Sequence, residues 1–181
     1  MPLAPSSAAR RAGVPVTLLR LRLRPCPSGF TLIELMAVVA VIAILAMIAL
    51  PSLQGRLVRE QIIEAAKIAD IAKPPIALAW ALTHTLPADN AAAGLPAADK
   101  IVGNYVDAVT IESGAIHLHF GNRANRALRG KTLSLRPAVV EDAPIVPVAW
   151  VCGDASVPDK MAVKGPNRTD VAKGFLPLNC R

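Results

Sequence analysis

Residues 28–50 read SGFTLIELMAVVAVIAILAMIAL. From Leu35 to Leu50 the run is apolar without a break, and residues 35–55 carry no charged side chain. At 1.5 Å of rise per residue, the stretch from Phe30 onward is long enough to cross the roughly 30 Å hydrocarbon layer of a bilayer as a helix. Five arginines (Arg10, Arg11, Arg20, Arg22, Arg24) precede it with no acid among them. That asymmetry predicts a cytoplasmic N-terminus and a remainder outside. A cleaved secretory signal is the alternative. Its apolar region is about 7–15 residues long and ends in a small-residue cleavage motif, whereas this run is longer and leads into a helical pattern.

Glu34 interrupts the apolar stretch. A carboxylate at the centre of a bilayer helix costs about 2.5–3.5 kcal/mol on insertion scales, less near the helix end, and calls for a partner. One reading is a capping box, Thr31-x-x-Glu34, with Glu34 reaching back to the helix start. The other is a pair with a positive charge. No Lys or Arg lies within helical reach, but an α-amino group at Phe30, created by cutting after Gly29, would.

The stretch Ser28-Gly29-Phe30-Thr31-Leu32-Ile33-Glu34-Leu35-Met36 resembles the N-terminal signature of type IV pilins. The resemblance implies that a prepilin peptidase cuts after Gly29 and methylates the nitrogen of Phe30. It makes Glu34 the glutamate of methylation and subunit registry, and places Pro51 at the family's helix kink. N-methylation keeps the amine charged, so a buried acid and a buried amine specify register: a wrong stagger leaves both unpaired. Pro51 removes a backbone donor and should bend the helix, with a helix end at the membrane surface as the alternative. At 29 residues the leader is longer than is usual in the type IVa branch. Cys26 lies inside it.

The composition agrees with a membrane anchor carrying a folded body. The 181 residues are 53 % hydrophobic and 18 % charged, which excludes a disordered chain. Aromatics are only 3 %, so the core is built from Ala, Val, Leu and Ile. The net charge of +7 is largely N-terminal: beyond residue 29 there are 15 basic against 13 acidic groups, a balance of +2. A nucleic-acid-binding domain would carry its charge on the folded body.

After Gly55, Val58, Ile62, Ala65, Ala69, Ala72, Ile76 and Ala79 recur at spacings of four and three, the apolar face of an amphipathic helix. Pro74-Pro75 should kink that helix. Residues 84–104, rich in Ala, Pro, Asp, Asn and Gly, read as a loop. Four strands are predicted over 105–112, 115–120, 131–139 and 145–151. In Ile116-His117-Leu118-His119-Phe120 the apolar residues face one side and both histidines the other. Short connections favour an antiparallel meander with one face on the helix. The expected fold is α+β, a long N-terminal helix packed on a four-stranded antiparallel sheet. Its segments are a basic leader 1–29, an apolar helix 30–54, an amphipathic half 55–83, a loop 84–104, a sheet 105–151 and a C-terminal region 152–181.

Cys152 and Cys180 remain once the leader is gone, and outside the cytoplasm an even pair oxidises; two free buried thiols are the alternative. Trp150-Val151-Cys152 and the ending Leu176-Pro177-Leu178-Asn179-Cys180-Arg181 resemble the disulfide-bounded C-terminal region of type IVa pilins. His117 and His119 share a face, but no acid or Cys nearby in sequence completes a metal site, so they read as polar residues facing solvent. His84 carries no signal. Asn167-Arg168-Thr169 matches a glycosylation sequon at chance level. Arg123, Arg126, Arg129, Lys131 and Arg136 read as a solvated or subunit-contacting surface, with DNA or an acidic receptor as the second reading. No nucleotide-binding loop, hydrolase elbow or zinc-protease motif occurs, so neither an enzyme nor a cofactor is expected.

The resemblance therefore implies a structural subunit, stored in the inner membrane and assembled into a helical homopolymer for adhesion, twitching motility or DNA uptake. Its expected partners are copies of itself, the prepilin peptidase and the pilus assembly machinery. A type II secretion pseudopilin or a DNA-binding minor pilin shares the N-terminal features and forms the alternative.

Overall fold

The structure, a computed structural model, describes residues 29–181, and for residues 49–53 the backbone alone. The leader arginines and Cys26 lie outside the described residues, as does the side chain of Pro51. The described residues fall into two compact units, one ending at Val41 and one running from Ile42 to Arg181. Helix α1 runs from Leu32 to Ile68. A 3₁₀ turn, Ala69–Ile71, follows, and then a second helix, α2, Lys73–Thr83. The strands are β1 (Val106–Glu112), β2 (Ala115–Phe120), β3 (Thr132–Val139), β4 (Ala149–Cys152) and β5 (Ala162–Val163). They form one antiparallel sheet of order β1-β2-β3-β4, with β5 also paired to β3.

The core lies between one sheet face and the helical stripe. Val58, Ile62, Ala65, Ala69, Ala72 and Ile76 are buried together with Val109, Ile111, Ile116, Leu118, Leu133 and Leu135. Register explains the sheet side. Val109 opposes Leu118, which opposes Leu133; Ile111 opposes Ile116, which opposes Leu135, which opposes Cys152. These cross-strand rows share a face because the side-chain period is two. The three alanines present little more than a methyl group to the sheet.

Three expectations are corrected here. The amphipathic segment 55–83 is two helices, not one kinked helix. Pro74 and Pro75 fall in the first turn of α2, where backbone N–H groups have no intrahelical partner to lose. Trp80, not Ala79, follows Ile76 into the core, at a spacing of four instead of three. The fourth strand begins at Ala149 instead of residue 145, and the two-residue β5 has no counterpart in the sequence reading.

The loop between α2 and β1 is fastened to the sheet by Asn90. Its Nδ2 donates to the carbonyls of Pro96 (3.1 Å) and Val109 (2.9 Å), and its Oδ1 accepts the N–H of Ile111 (2.8 Å). One side-chain amide thus occupies the outer edge of β1, as one residue of a parallel neighbouring strand would.

Candidate processing and assembly site

Gly29 and Phe30 precede the first turn of α1 and are exposed. Thr31 opens the helix: its Oγ1 accepts the N–H of Glu34 at 3.3 Å, the forward half of a capping box. Among the described residues the reciprocal bond from Glu34 is not made. Every described side chain from Phe30 to Ile48 is exposed, Phe30 at 80 % and Ile48 at 72 %. An apolar surface of that length needs a second partner, whether lipid or protein. Among the described residues, no helix is long and apolar enough to cross a membrane. The described side chains of the apolar run stop at Ile48, before residues 49–53 that would extend it.

At the other end of the chain, Cys152 and Cys180 are joined by a disulfide, with Cα atoms 4.5 Å apart. Gly153 makes the turn that follows. Its φ is +57°, and a Cβ there would lie 2.7 Å from the Cys180 carbonyl oxygen, so only glycine fits. The enclosed segment is a strap across the sheet. Lys164 N–H donates to Pro137 C=O on the β2 edge of β3 (2.9 Å), and Asp170 N–H donates to Thr132 C=O on the β4 edge (3.1 Å). Between these points the segment crosses the face opposite α1.

That crossing changes the reading of the histidines. His119 is exposed and pairs with Asp107 at 2.5 Å. His117 is buried under the strap, 5 % exposed. Ser134 Oγ accepts the N–H of Arg168 at 2.9 Å and lies 2.9 Å from His117 Nδ1. Nε2 lies 3.5 Å from Glu112, which is itself held by Arg168 through two bonds of 2.5 and 2.7 Å. Burial lowers the pKa of His117, with Arg168 adding to the effect against the pull of Glu112. The hydrogen bonds from Arg168 lower that of Glu112. The expectation of two solvent-facing histidines is therefore wrong for His117. Its neighbours in space, Glu112 and Arg168, are distant in sequence. Among the described residues no group of three metal-ligating side chains forms.

Two matches with known families cover most of the chain. Residues 25–50 match the prokaryotic N-terminal methylation motif, and residues 58–181 match the family described as pilin, a bacterial filament protein. The chain belongs to the type IV pilin family. Among its relatives, a fimbrial protein of Neisseria meningitidis serogroup B is 32 % identical over 162 residues, covering 84 % of this chain and 93 % of the relative. The type IV major pilin protein PilE of Neisseria gonorrhoeae is 39 % identical over 127 residues, covering 69 % and 73 %. The fimbrial protein EcpC of Eikenella corrodens is 39 % identical over 164 residues, covering 88 % and 94 %.

Pilins are filament subunits and not enzymes, and the remaining candidates in this pilin are structural. Arg136 donates to Gly153 C=O and so braces the strap (3.2 Å), and Lys131 pairs with Asp170 (3.3 Å). Neither joins Arg123, Arg126 and Arg129, which lie exposed on the β2–β3 loop. The basic run thus splits into strap contacts and a loop cluster. Asn167 spends its Nδ2 on Gly153 C=O (3.1 Å) and Asp154 (2.9 Å), the nitrogen a sugar would need.

Proposed function

We propose that this pilin is the building subunit of a type IV pilus. A prepilin peptidase cuts between Gly29 and Phe30 and methylates the new Phe30 amine. Residues 30–54 hold the subunit in the inner membrane, and extraction passes it into a helical filament in which apolar helices bury one another. Glu34 there pairs with the Phe30 amine of a neighbour, and head-to-tail contacts that do not close give an open polymer. The methylation motif over residues 25–50 supports the processing step.

The observation that carries this reading is the uniform exposure of the side chains from Phe30 to Ile48 in a chain whose other apolar stripe is fully packed. Lipid before assembly and neighbouring helices after it supply the missing apolar contacts. The test is mass spectrometry of the N-terminal peptide of protein sheared from the cell surface. An N-methylated Phe30 terminus in that fraction is expected. Processed protein confined to the membrane fraction favours the pseudopilin reading, and an intact Gly29–Phe30 bond refutes the proposal.

A further inference from the structure

Charge is unevenly distributed along the strand axis of residues 54–181. The β2–β3 loop and the residues just before β1 lie beside the first turns of α1 after the apolar stretch: Asn125 N–H donates to Gln61 Oε1 at 2.8 Å, and Asn104 Nδ2 to Glu64 at 2.7 Å. On another side of the same turns, Arg59 donates to Gly174 C=O at 2.9 Å. Gln61 is only about 12 Å along the helix from Leu53. These loops make a rim around the point where the apolar helix enters the folded body.

Acids on this rim are already engaged. Glu60 faces Arg56 at 3.9 Å, Asp170 faces Lys131 at 3.3 Å, Asp107 faces His119, and Glu64 accepts from Asn104. Arg59, Arg123, Arg126 and Arg129 make no ion pair with a carboxylate among the described residues. Arg59 and Arg129 donate only to main-chain carbonyls, and Arg123 and Arg126 are exposed on the loop. The opposite end differs. There the β1–β2 turn, bonded to Pro87 and Ala88, lies with Asp89, Glu112, Glu141 and Asp142, while Lys164 and Arg168 are each paired to an acid.

We propose that the Arg59–Arg123–Arg126–Arg129 rim docks the folded body onto the anionic phospholipid headgroups of the leaflet from which α1 emerges. This rests on the membrane-stored state proposed above. Guanidinium groups bind phosphate in planar, two-pronged geometry, and the attraction of an anionic surface acts only within a Debye length, about 8–10 Å. The headgroup layer extends about 5–7 Å beyond the hydrocarbon, so cations at the level of Gln61 lie within a Debye length of it; cations at the far end would not. The loop 121–131 contains no aromatic residue on which bases could stack, which disfavours single-stranded nucleic acid as the occupant. Docking holds the body in one orientation on the membrane until extraction breaks the contact.

The experiment reconstitutes the full chain into vesicles of pure phosphatidylcholine or of phosphatidylcholine with phosphatidylglycerol. Flotation checks insertion, and amide hydrogen exchange is followed by mass spectrometry. Peptides over 121–131 should exchange at least threefold more slowly in the anionic vesicles, relative to peptides over 88–100 in the same sample. Molar salt, or the R123Q/R126Q/R129Q variant, should abolish the difference while leaving 88–100 unchanged. Equal exchange in floating vesicles of both compositions overturns the docking surface and leaves the membrane-stored state standing. So does slowing seen only in assembled filaments or with added oligonucleotide, since the rim then faces a neighbouring subunit or nucleic acid. Failure to float removes the membrane-stored state, and the docking surface with it.

Discussion

Replacing Asn90 tests how the loop of residues 84–104 is held to the sheet. In Asn90→Ala, Val109 C=O loses its donor and Ile111 N–H loses its acceptor, both on the outer edge of β1, and Pro96 C=O loses a third bond. A buried group left without a partner costs about 1–3 kcal/mol. Two such groups at an edge that water can reach give an expected loss of about 2–4 kcal/mol. Asn90→Asp separates this account from simple packing. Its carboxylate can still accept from Ile111 but sets an acceptor against the carbonyls of Val109 and Pro96. At pH 7 it should be less stable than Asn90→Ala. The aspartate pKa is expected to rise on folding, so the folded state binds the proton more readily and part of the loss should return toward pH 4. The assay is urea denaturation of the detergent-solubilised chain, followed by Trp80 and Trp150 fluorescence, at pH 4 and 7. An Ala variant within about 0.5 kcal/mol of the parent, or an Asp variant of parental stability at pH 7, refutes the reasoning.

The lowered pKa of His117 means that the unfolded chain binds its proton more readily than the folded one. The His117 contribution should therefore be complete above the ordinary value of 6.5 and be lost as the pH falls from there toward the lowered folded value. His117→Gln should flatten that segment of the stability–pH curve in urea titrations. Opening the Cys152–Cys180 bridge by substituting both residues with Ser should cost about 3–4 kcal/mol in the chain-entropy account, measured as a shift in denaturation midpoint. Gly29 has open space around it, so Gly29→Val should leave the fold intact while uncut precursor accumulates on immunoblots. Glu34→Ala should permit cutting but reduce surface filaments, counted by electron microscopy; normal piliation would remove its registry role.

Much of this pilin is local and therefore legible in the chain. The apolar run from Leu35 to Leu50, the Gly29-Phe30 junction with Glu34 four residues on, and the alternation of Ile116, Leu118 and Phe120 each declare themselves within a dozen residues. The helical stripe from Val58 to Ile76 does the same, because its period is a property of one element. The sequence by itself thus determined the architecture, an apolar helix leading into an α+β body, and the family to which it belongs. The tertiary structure alone decided what depends on chain crossing over chain. His117 is buried because residues 164–170 pass over it, and its alternation with Leu118 could not reveal a cover supplied from some fifty residues away. Asn90 finds the open edge of β1 only after the sheet exists. Partners separated widely in sequence leave no periodic trace, and their burial and hydrogen bonding are properties of the assembled sheet.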